Sequence, residues 1–122
     1  MNRLIPLALA LGLILSLTGC KDEMPPPWKE MVFPLSNSTL LPGAGPNGFK
    51  VKYSGLRGKT KAYFREYGSA LKRGGYVFME EAPNDDPEDG IMAAFYQKGE
   101  QKVRLTVYAD AHTHAEVKVE QE

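Results

Sequence analysis

The chain has 122 residues, a formal net charge of zero and one cysteine, Cys20. One small domain fits this length and a second does not. A lone cysteine excludes an intrachain disulfide and a multi-cysteine zinc site, so the fold must stand on its apolar core.

Met1-Asn2-Arg3 supplies one positive charge, and an apolar run from Leu4 to Leu17 follows, interrupted only by Pro6, Gly12 and Ser16. This is the charged start and greasy middle of an export signal, shorter than the ~20 residues of a membrane-spanning helix. Ordinary cleavage wants small residues at both −3 and −1, and a cut after Gly19 would place Leu17 at −3. Leu17-Thr18-Gly19-Cys20 instead resembles the lipobox of bacterial lipoproteins, over residues 1 to 20. That resemblance implies removal of residues 1–19, a diacylglyceryl group on the Cys20 sulfur and acylation of the new amino terminus, palmitate being a typical chain. The chemistry suits the residue, because a thiol is the one good nucleophile near neutral pH. Each buried methylene contributes about 0.8 kcal/mol, and two or three chains anchor where one holds only marginally. In the enterobacterial sorting pattern an aspartate directly after the cysteine retains the protein at the inner membrane. Here Lys21 stands there, so the resemblance implies the periplasmic face of the outer membrane.

Residues 20–48 hold six prolines, at 25, 26, 27, 34, 42 and 46, with glycines at 43, 45 and 48. Proline removes backbone donors and favours extended chain, so the segment reads as a tether, parts of which could pack through Trp28, Met31, Val32, Phe33, Leu35, Leu40 and Leu41. The domain is expected over 49–122. Phe49, Val51 and Tyr53 alternate with polar residues as in a half-buried strand. Lys59 to Arg73 reads as a helix with Thr60 as N-cap and Tyr63, Phe64, Tyr67, Ala70 and Leu71 on one face, stopped by Gly74-Gly75. Strands are expected at 76–81, at 91–97 and from 103 onward, with a hairpin connection at 98–101. Val103 to Val119 keeps strand alternation for about 55 Å, longer than the sheet of so small a domain, so it must bend or turn, with Asp110 to Thr113 the favoured place, or project beyond the sheet. The predicted fold class is α+β: one helix on an antiparallel sheet of four or five strands, in the order strand-helix-strand-strand-strand. The layout, with its helix closing on Gly74-Gly75-Tyr76, resembles small single-helix α+β domains of bacterial lipoproteins, which implies no catalytic motif.

Asp110, His112, His114 and Glu116 alternate, and on one continuous strand all four would share a face. Such a set could chelate zinc, copper or nickel. The loop from Asn84 to Gly90 resembles a calcium loop in composition only. Counted from Asp85, Pro87 and Tyr96 fall where an EF-hand needs ligands. Lys50 to Arg73 carries eight cations against Glu66, and Glu80 to Asp89 carries six acids and no cation. Arg57, Lys59, Lys61, Arg65, Lys72 and Arg73 are the candidates for contact with an anionic surface. No nucleophile–base arrangement and no glycine-rich phosphate loop stands out. The expectation is a lipid-anchored envelope protein with a non-catalytic binding or structural domain and no cofactor. Its partners would be the membrane, through the lipid at Cys20, and an envelope protein or anionic envelope polymer, with no nucleic acid. A divalent-metal-binding lipoprotein is the alternative.

Overall fold

The computed structural model describes residues 24–54, 59–110 and 112–120. The expected leader 1–19, Cys20 and Arg57 lie outside them. Six strands form one antiparallel sheet: β1 (Ser38–Leu40), β2 (Gly48–Tyr53), β3 (Val77–Glu81), β4 (Ile91–Lys98), β5 (Gln101–Ala109) and β6 (Thr113–Val119), in the spatial order β1-β2-β6-β5-β4-β3. One helix, α1 (Thr60–Arg73), packs on one face, chiefly over β5 and β4. The α+β class with a single helix on an open antiparallel sheet is as predicted, but the sheet has six strands rather than four or five. Two features account for the difference. Ser38-Thr39-Leu40 pairs with Tyr53, Lys52 and Val51 as a short edge strand, and the long C-terminal run folds at 110–112 into β5 and β6. The turn is held by Asp110 N–H donating to His112 O at 3.1 Å.

The end of α1 is fixed by local chemistry. Gly75, at φ +95°, reverses the chain, Gly75 N–H donates to Lys72 O, and Tyr76 N–H reaches back to Leu71 O, both at 3.0 Å. Two orphan carbonyls are satisfied, and Tyr76 and Leu71 join the core, which is the Schellman arrangement. At the start of the helix the capping position is Lys59, with no side-chain cap, and Thr60 lies inside the first turn rather than capping it. Gly68, which a sequence reading counts against the helix, has a packing reason. A Cβ there would collide with the Tyr96 hydroxyl, so glycine lets β4 approach.

The proline-rich segment, expected to be a tether with parts packed on the domain, contributes side chains to the core from Met24 onward. Met24, Trp28, Met31 and Phe33 are buried with the sheet residues Phe49, Val51, Leu105 and Val117. Trp28 opens a 3-10 turn (Trp28–Met31), donates its indole N–H to Gly45 O at 2.7 Å and meets Phe49 edge-on at 5.7 Å. Phe33 sits between Phe49 and Tyr67, with ring centroids 5.0 Å from each. Prolines cannot donate to a sheet ladder, but an extended chain can still lay side chains across a sheet face. Arg73 fastens the segment to the helix end, donating to Val32 O at 2.9 Å and Met31 O at 3.4 Å. Trp28→Ala is expected to destabilise the protein by about 3–5 kcal/mol, the range for emptying a buried aromatic site. Urea denaturation checks this, and a free tether would leave the midpoint unchanged.

A buried hydroxyl relay closes the other end of the segment. Tyr53 and Tyr67 hydroxyls are 3.0 Å apart, and Pro34 O lies 2.5 Å from Tyr53 Oη and 3.4 Å from Tyr67 Oη. Each hydroxyl has one proton, so Tyr53 donates to Pro34 O and accepts from Tyr67. Burial pushes the Tyr53 pKa up to about 12, and that of Tyr67 further in the same direction. Below pH 10 both phenols are protonated whether the chain is folded or not, and stability is insensitive to them. Between pH 10 and about 12 the unfolded chain releases the Tyr53 proton while the fold holds it, so stability falls as pH rises. The expected slope is up to about 1.4 kcal/mol per pH unit for each such tyrosine. Tyr53→Phe should remove one proton's share of that slope, read from urea midpoints on both sides of pH 10.

Candidate functional site

The sheet face turned away from α1 carries the polar partners of the core residues. Across β2, β6 and β5 the register sets Lys50 beside Glu116 and Glu116 beside Thr106, and in the next row Lys52 beside His114 and His114 beside Tyr108. The His114 imidazole stacks on the Tyr108 ring with centroids 5.0 Å apart and planes at 14°. Lys50 Nζ stands 5.2 Å from the centre of the same ring. Its pKa is raised, first by interaction with the Tyr108 hydroxyl, which outweighs burial, then by the charges of Glu116 and Asp110. Lys50 is therefore a fixed cation and a poor nucleophile at neutral pH, the opposite of what amine catalysis needs.

The four residues expected to share a metal do not converge. The turn puts Asp110 and His112 outside the strands, so the alternation that would align them with His114 and Glu116 is broken. Asp110 Oδ1 accepts from His112 N–H at 3.2 Å and lies 3.6 Å from His114 Nδ1, an ion pair only when the imidazole is protonated. Glu116 is two residues further along β6, about 7 Å on, beside Lys50. Among the described residues no three His, Cys, Asp or Glu side chains group closely enough to hold a metal ion.

The basic residues expected to form one surface are spread along α1. Lys61, Arg65 and Lys72 line a groove of about 280 Å³ between the helix and β4, floored by Phe64, Met92 and Tyr96. Lys59 precedes the helix and Arg73 ends it, bonded to the Met31 and Val32 carbonyls. Fourteen residues separate those ends by about 20 Å, so a flat surface cannot meet all of them at once without lying along the groove. A second depression, of about 470 Å³, lies between the Pro42–Gly48 loop and the Glu116–Lys118 stretch of β6.

Lys50 and Tyr108 are the residues that sequence reading passed over. Alternation puts each on a polar face, but only the β2–β6–β5 register brings them together, and register is not written in either strand alone. Comparison with protein-family models, with curated proteins and with solved structures finds no match for this chain. The geometry leads to a definite expectation for metal. His112→Ala should leave any zinc uptake unchanged in isothermal titration, and a loss of affinity would restore the four-residue set.

Proposed function

We propose that the chain is a bacterial envelope lipoprotein, anchored through lipid on Cys20, with a small non-catalytic binding or structural domain on the periplasmic side. The observation that supports this reading is the position of Met24. It is 5 % exposed and contributes to the core only four residues after Cys20. Cleavage before Cys20 would leave 103 residues and every described core side chain intact. No helix among the described residues is long and apolar enough to cross a membrane, and the lipid would supply the attachment. Lys21 after the cysteine favours the outer membrane.

The domain is read as a contact module because its polar sheet face offers fixed charge and stacked rings. Lys50 keeps its proton between Tyr108 and Glu116, and His114 is flat against Tyr108. These groups suit recognition of a partner surface, with an envelope protein or anionic envelope polymer as the class of partner. The metal alternative gains no support: Asp110 and His114 approach each other, but among the described residues no third ligand groups with them.

Intact mass of the membrane-extracted protein, wild type beside Cys20→Ala, tests the anchor. The wild type is expected to lack residues 1–19 and to carry added acyl mass, while the variant yields no processed, membrane-retained form. A wild-type chain without acyl chains overturns the proposal.

A further inference from the structure

We infer that one end of the domain lies on the anionic phospholipid headgroups of the leaflet that holds the anchor. This orientation rests on the lipid-anchor reading of Cys20. Four residues, fully extended, span at most about 14 Å. With Met24 seated in the core, a lipid on Cys20 holds the surface around Met24 within that distance of the membrane.

The course of the next residues identifies that surface. Trp28 is bonded to Gly45 O and packs on Phe49, near the start of β2, whereas Pro34 O receives the hydroxyl of Tyr53, at its end. The segment therefore runs along β2 from the end of the sheet where Gly48 pairs with Lys118. The same near end holds the Lys98–Gln101 hairpin, the C-terminus of α1 and the start of β3. Met24 precedes Trp28, and the turn between them is closed by Lys29 N–H donating to Pro25 O, so Met24 belongs to the near end.

Two independent features fit that end to a bilayer. Val32, Val77, Phe78 and Met79 are the large hydrophobic side chains exposed among the described residues, and all lie in the near half. The Arg73 bond places Val32 at the helix C-terminus, and β3 runs beside the Ala94–Gln97 half of β4. Charge is the second feature. Lys29, Lys72, Arg73, Lys98 and Lys118 are exposed in the near half, against Glu30, Glu80, Glu81, Glu100 and a Glu120 paired with Arg104 at 3.2 Å. At the far end the β3–β4 connection and the β5–β6 turn bring together Asp85, Asp86, Glu88, Asp89 and Asp110, against Lys52, Lys59 and Lys61. A negative leaflet attracts the near end and repels the far one. Its potential decays over about 8–10 Å, and a leash of at most about 14 Å lets the near-end lysines come within that range.

The test uses the lipidated full-length protein, reconstituted into vesicles of phosphatidylglycerol and phosphatidylethanolamine. With Cys20 blocked by lipid, Val77→Cys and Asp89→Cys each offer one thiol for an environment-sensitive fluorophore, and both positions are exposed, so the label does not invade the core. Nitroxide-bearing lipids are expected to quench the label at 77 several times more than that at 89. Reversing Lys72, Lys98 and Lys118 to Glu should bring the two closer together. Equal quenching at 77 and 89, with acyl chains present by intact mass, overturns the orientation alone. Absence of acyl chains overturns the anchor and the orientation with it.

Discussion

A sheet of six strands is too wide for one helix to cover. Five inter-strand spacings make about 24 Å, and a helix with its side chains covers about 10–12 Å. The helix α1 lies chiefly over the β4–β5 half and reaches β2 through Tyr63 and Tyr67, while Trp28 and Phe33 cover Phe49 at the start of β2. The proline-rich segment is thus the second half of the covering layer. Its fastenings follow from that duty: Arg73 on the Met31 and Val32 carbonyls at one end, and the Tyr53–Tyr67 hydroxyls on Pro34 at the other. Gly74 belongs to the same device, since a Cβ there would fall 2.6 Å from Met31 Cγ.

The sequence makes some of this legible and hides the rest for physical reasons. Helix α1, its glycine stop, the hairpin at 98–101 and the bend near 110 are local events, set by periodicity and by residues a few positions apart. Strand β1 is three residues long and is defined only by its partner β2, so no pattern of its own announces it. The role of Met24 to Pro34 is hidden by proline, whose effect on backbone bonding is strong and whose effect on side-chain burial is slight. Trp28 and Phe33 are the available hint, because large aromatics at that density are more favourable buried than exposed.

Sites are harder to read than elements, and charge shows why. The basic run at 50–73 and the acidic run at 80–89 look like two patches in the linear chain. In the fold the helix carries its cations from one end of the molecule to the other, and cations from β4 and β6 join only part of them. The alternation from Asp110 to Glu116 misleads in the same way. It is continuous in sequence, and the reversal between Ala109 and Thr113 interrupts it in space.

The middle of the sheet is filled by β6, the last strand in chain order. In the ladder between β2 and β6, Gly48 faces Lys118 and Tyr53 faces Thr113, so early and late segments meet there, with the sequentially adjacent pair β1–β2 on one side and the run β5-β4-β3 on the other. Before β6 is available, β2 has only three-residue β1 beside it, and the layer formed by Trp28 and Phe33 has half a floor to rest on. A topology closed by such distant contacts folds late. Until β6 arrives, then, the first half of the chain has no centre to assemble on, and the last strand made is the one that closes the fold.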